Sequence, residues 1–170
     1  MQRVFLMMLL VLACAAGTGA ESIVTAESIE EAEFAYDRGD YTQAARLFSP
    51  LAEQGMASAQ FYLGLMHERG RGVRQDYRTA LRWFRKSAAQ GYAGPQNSLG
   101  LMYERGRGVR KDFVRALMWY NLAVAMSSGD EGKTAMKRRD HLTSQMTAQQ
   151  IEQAQEMSQR CRQSQFKTCD

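Results

Sequence analysis

Between residues 77 and 88 the apolar side chains fall at Tyr77, Ala80, Leu81, Trp83, Phe84 and Ala88, and polar residues fill most places between them. Steps of three and four gather such positions on one face of a helix. The arrangement returns at Phe113, Ala116, Leu117, Trp119, Tyr120 and Val124. Each of these helices is preceded by an aspartate, Asp76 or Asp112. A carboxylate there can accept a backbone N–H and start the helix. Upstream lie two further helices, predicted over 56–69 and 93–105, each carrying a Leu-Gly pair. Pro95 sits in the first turn of the latter, where its missing N–H costs little. The loops between are Gly70-Arg71-Gly72-Val73 and Gly106-Arg107-Gly108-Val109. The first glycine can close a helix in a left-handed conformation. The second permits another such step, and the valine can turn inward. The predicted unit is helix–loop–helix.

The two copies, 64–83 and 100–119, align at an offset of 36 residues. A fixed period in this range is the mark of a solenoid of stacked units. Gly64 and Gly100 lie inside helical patterns, at a cost of roughly 1 kcal/mol each against alanine. Close helix–helix approach, where a Cβ would collide, accounts for them. A shortened third copy comes first. Asp40, Tyr41, Ala44, Phe48 and Gly55 align with Asp76, Tyr77, Ala80, Phe84 and Gly91. A tight Arg38-Gly39-Asp40 turn replaces the long loop, and Asp40 with Gln43 suggests a capping box. An atypical terminal unit is expected in a solenoid. After Gly129 the repeat fades, and 131–145 and 147–162 read as two more helices. Thr147 and Gln150 have capping-box spacing, and Ile151, Ala154 and Met157 or Ser158 make a narrow stripe.

The pattern Leu-Gly-x-Met-Tyr/His through Gly-x-Gly-Val and Asp-Tyr/Phe to Ala-Leu-x-Trp-Phe/Tyr resembles the Sel1-like repeat, a relative of the tetratricopeptide repeat. The resemblance implies an all-α, right-handed α/α solenoid of helix pairs. It also implies a role in holding other proteins and a polar C-terminal helical cap. The expected division is a leader at 1–20, repeats within 21–128 (about 29–55, 56–91 and 92–127) and a cap and tail at 129–170.

The leader changes the picture most. A positive start at Arg3, an unbroken apolar run over 4–12 and small residues over 13–20 read as a secretory signal peptide. The run is too short to span a bilayer. Cleavage after Ala20 is the preferred site. The rival is Val11-Leu12-Ala13-Cys14, similar to a bacterial lipobox, with Cys14 acylated and the chain anchored as an outer-membrane lipoprotein. Either way the mature chain leaves the cytoplasm, for the periplasm or beyond. There Cys161 and Cys169, eight positions apart, would pair as a structural disulfide. Two cysteines and scattered histidines do not make a four-ligand zinc site, and no cofactor or metal is expected. The repeats carry no cysteine, which departs from the cysteine-rich branch of the family.

The formal charge of +4 is modest. Arg69, Arg71, Arg74, Arg105, Arg107 and Arg110 recur on the two loops, and Lys137, Arg138 and Arg139 form a third group. They read as solvated charge, against the alternative of a basic ridge for an anionic partner. Nucleic acid is not an expected ligand for an exported chain without aromatic platforms on a strand surface. Candidate chemistry is thin. Ser164 and Lys167 have the Ser-x-x-Lys spacing of penicillin-recognising enzymes, but the accompanying motifs are missing. His67 aligns with Tyr103, a packing position. The glycine loops follow helices and lack the Gly-Lys-Ser/Thr ending of phosphate loops. No catalysis is expected. Trp83 and Trp119 read as inter-repeat core.

The inner face of the first helices is the expected partner site. It comprises Phe61, Leu65, Glu68 and Arg69 in one repeat and Asn97, Leu101, Glu104 and Arg105 in the next. Such a groove could take a peptide or helix. The alternative is that Leu65 and Leu101 only pack between helices. The resulting reading is an exported adaptor for a protein of the cell envelope. Its rivals are a lipid-anchored assembly factor and a β-lactam-interacting enzyme of the kind known in the cysteine-rich branch.

Overall fold

The structure, a computed structural model, describes residues 28–127 and 129–169. The expected leader and Cys14 lie outside the described residues. All regular structure among these is helical. Helix α1 covers 28–37. It is followed by α2 (Tyr41–Glu53), α3 (Ala57–Arg69), α4 (Tyr77–Ala88), α5 (Ala93–Arg105) and α6 (Phe113–Met126). The chain ends with α7 (Asp130–Thr143) and α8 (Ala148–Gln163). Consecutive helices from α2 to α7 pack on one another, and α8 returns onto α6.

The local chemistry explains the boundaries. Asp76 accepts the N–H groups of Arg78 and Thr79, and Asp112 accepts that of Arg115. These bonds satisfy donors that a helix start leaves open. Gly70 and Gly106 end α3 and α5 with φ of 67° each, the left-handed step expected of them. The loops close when Asp76 N–H reaches the His67 carbonyl at 2.9 Å and Asp112 N–H the Tyr103 carbonyl at 3.0 Å. Asp40 accepts from Gln43 N–H, which is one half of the expected box. At Thr147 both halves form.

Small residues set the packing. A Cβ on Gly64 would overlap the Phe84 ring, and one on Gly100 the Tyr120 ring. Helices α3 and α4, and α5 and α6, therefore approach as closely as glycine allows. The second loop glycine serves a different contact, between repeats. Gly72 lies against the Tyr41 carbonyl at the start of α2, and Gly108 against the Tyr77 carbonyl at the start of α4. The neighbouring arginine covers the same aromatic residue. Arg71 stands 5.0 Å from the Tyr41 ring centre and Arg107 5.5 Å from that of Tyr77. Each loop thus clamps its repeat to the one before.

The core runs as two apolar clusters, one centred on α2 and α3 and one on α4 to α8. The tryptophans do not share it equally. Trp119 is 3 % exposed, as expected. Trp83 is only half-buried, with Lys86 Nζ 4.5 Å from its ring centre. Trp83 still packs against the smaller cluster, as expected of inter-repeat core, but from its edge: α6 receives α8 as an additional cover, and α4 receives no such helix among the described residues. At the C-terminus Cys161 and Cys169 stand at disulfide distance, with Cα atoms 4.7 Å apart. Phe166, between them, packs onto the larger cluster.

Candidate functional site

Burying the second helix of each pair leaves one face of the first helix open. On α3 that face carries Phe61, Leu65, Glu68 and Arg69, separated by steps of four, three and one. On α5 it carries Gly94, Asn97, Ser98 and Leu101. The two faces flank a cleft of about 390 Å³. Helix α7 forms its third wall with Asp130, Thr134 and Arg138. Six of the eight residues expected on the inner face therefore meet around one opening. Glu104 and Arg105 do not line it.

Glu104 has a partner of its own. Tyr120 donates its hydroxyl hydrogen to Glu104 Oε2 at 2.5 Å. The aligned residue one repeat earlier is Phe84, which has no hydroxyl. Glu68 is left to pair with Arg107 of the following loop at 3.6 Å. Burial, followed by the hydrogen bond to Glu104 and its charge, pushes the Tyr120 phenol well above the ordinary tyrosine range. That proton is held and does not serve as an acid at neutral pH.

Leu65 and Leu101 are half-buried, so both alternatives hold for them. Each packs on its neighbours in part, and each presents surface to the cleft. Arg138 is half-buried and donates through Nη1 to Asn97 Oδ1 at 3.1 Å. Arg69 reaches the Tyr36 hydroxyl at 3.4 Å. The α7 wall was not legible from the repeat. Arg138 read as one member of a solvated basic run, and nothing local in the sequence says that the cap folds back against α5. Gly94 and Ser98 were accessible to sequence reasoning, since they share a helix face with Asn97 and Leu101.

The other candidates find structural uses. Ser164 Oγ donates to the Cys161 carbonyl at 2.8 Å and accepts from Thr168 N–H at 3.1 Å, which closes the end of α8. His67 Nδ1 lies 3.3 Å from the Arg74 carbonyl inside its loop. Tyr103, at the aligned position, is buried and accepts from Arg85 at 2.8 Å. Among the described residues no group of three His, Cys, Asp or Glu side chains could hold a metal ion. No described helix is long and apolar enough to cross a membrane.

Fold and cleft together define an all-α solenoid of stacked helix pairs, closed at one end by a helical cap. The model of the Sel1 repeat matches residues 35–56, 57–92 and 96–128, and the chain belongs to the Sel1 repeat family. Repeats of this kind typically serve protein–protein interaction. Among solved structures, a protective antigen of uropathogenic Escherichia coli strains with an SLR fold is similar at 28% identity and a TM-score of 0.75. That match covers 86% of this chain and 32% of the antigen. A Sel1 repeat protein from Oxalobacter formigenes is similar at 30% identity and a TM-score of 0.62, over 68% of this chain and 46% of that one. The chain thus spans less than half the length of either. No curated protein matches it.

Proposed function

We propose that this chain is an exported adaptor that holds a protein partner of the cell envelope in the cleft between α3, α5 and α7. The carrying observation is the cleft itself: apolar and charged side chains of three helices converge on an opening that the protein's own packing leaves unfilled. A rigid stack of helix pairs is suited to this role, because neighbouring repeats fix the groove before a ligand arrives. Export to the periplasm or beyond is supported by the amino-terminal apolar run and by the cysteine pair at disulfide distance. Residues 1–20 serve as the leader, 21–128 as the repeats and 129–170 as cap and tail. Acylation of Cys14 would convert the same adaptor into a lipid-anchored one.

In-cell cross-linking with a tagged full chain, after fractionation, tests the reading. The expected outcome is a discrete envelope partner that disappears with Phe61→Ala plus Leu101→Ala, while helical circular dichroism is kept. An identical cross-linking pattern for the folded variant would remove the cleft from the function. A chain found only in the cytoplasmic fraction would remove the export.

A further inference from the structure

The charges around the cleft are not balanced in the same way. Its two acids already have cations. Glu68 is paired with Arg107 at 3.6 Å, and Asp130 with Lys133 at 2.9 Å. Glu104, just beyond the cleft, accepts the hydrogen bond of the Tyr120 hydroxyl. The two arginines of the lining have no carboxylate within 4.0 Å among the described residues. Arg69 meets a phenol and Arg138 a carboxamide, both neutral acceptors. A guanidinium carries five N–H donors in a planar fork. One bond to Asn97 orients the Arg138 fork and leaves the rest of its donors for a ligand.

Arg138 is also half-buried. A charge partly withdrawn from water gains more from an opposite charge than an exposed one does. The same lining carries apolar surface from Phe61, Leu65 and Leu101. Apolar floor and cationic rim select the same class of guest from two directions. A basic segment would meet Glu68 already paired with Arg107 and Asp130 standing in solvent beside Lys133, where an exposed pair gains little. A bare polyanion would leave the floor uncovered.

Resting on the adaptor reading, we infer that the occupant of the cleft is an acidic, amphipathic protein segment. Its apolar side chains lie over Leu65 and Leu101. One carboxylate engages the Arg138 fork, and a second lies near Arg69. Arg138 is the specificity residue, and Asn97 positions it.

Selection from a random-sequence peptide display library against the full chain tests this, followed by titration of the selected peptides as synthetic probes. The expected peptides combine Leu, Ile, Phe or Met with Asp or Glu. Their affinity falls at least tenfold with Arg138→Gln and less with Arg69→Gln, and it declines as salt is raised. Arg138→Lys recovers part of the loss, since it restores charge without the fork. Thermal unfolding of each variant confirms that the fold is kept. Neutral or basic peptides that lose binding on Leu101→Asp but not on Arg138→Gln would overturn the acidic chemistry and leave the cleft reading standing. Peptides that bind Leu101→Asp as well as wild type, or no selected peptide at all, would overturn the cleft reading and this inference with it.

Discussion

Phe84 and Tyr120 occupy equivalent places, and a single oxygen separates their roles. Both rings press on a glycine of the preceding helix, so neither glycine accepts a methyl group. Gly100→Ala should lower stability by about 1–3 kcal/mol, the usual cost of overpacking, and thermal unfolding would read it. The Tyr120 hydroxyl adds a pH dependence. Its folded pKa is raised, so the unfolded chain loses this proton first. Stability is therefore complete below the ordinary tyrosine value of 10.0 and declines as pH rises above it. Urea unfolding at pH 9 and pH 11 should show a smaller loss for Tyr120→Phe than for wild type. Tyr62, raised by burial and by Glu33 and Asp37, adds to the decline in both proteins. Asp76 acts at the other end. Hydrogen bonds from Thr79 and Arg78 hold its carboxyl below 3.8. Its contribution is present above that value and is lost as pH falls below it. Asp76→Asn should flatten this acid limb.

Helix starts and loop glycines are where sequence and structure agree most closely. Asp76, Asp112 and Thr147 announce their helices because capping is local chemistry, complete within four residues. Asp112→Ala should cost about 1 kcal/mol through the lost cap, measured as a lower urea midpoint with an unchanged slope. The positive φ of Gly70 and Gly106 was equally legible. The second purpose of Gly72 and Gly108, lying on the backbone of the preceding repeat, was not. That contact joins residues about 31 apart (Gly72 to Tyr41, Gly108 to Tyr77). No local rule reaches so far. Nor does local sequence show that Arg71 and Arg107, expected as solvated charge, cover aromatic rings at the repeat junctions.

At the scale of the whole molecule, the cap settles both stability and site. Helix α8 packs on α6, where Trp119 is buried, and the Cys161–Cys169 pair at its end stands at disulfide distance. Gln165 and Phe166 both adopt left-handed φ, 53° and 64°, within that short loop. Neither is glycine, so the turn needs its surroundings to hold it. With the cysteines bonded, Cys169→Ser should destabilise the chain by roughly 2–3 kcal/mol, as loop-closure entropy gives for a ring this small. A red shift of tryptophan emission should accompany it, because Trp119 loses its cover while Trp83 is already half exposed. Treatment of wild type with reductant should reproduce both changes. An unchanged melting temperature and emission in the variant would show that α8 docks without the link.

The sequence by itself determined what depends on near neighbours and on period. It settled the helix–loop–helix unit, the caps, the left-handed glycines, the close helix approach at Gly64 and Gly100, and the stacking of units at 36-residue intervals. Six residues of the cleft followed from helical geometry, since steps of three and four place them on one face. Tertiary structure alone decided which of the inner-face residues meet and what stands opposite them. Glu104 bonds to the Tyr120 hydroxyl and lies outside the cleft, and the cap brings Arg138 to it. Both depend on contacts between separate helices, whose register is set by packing and not by the order of residues along either one.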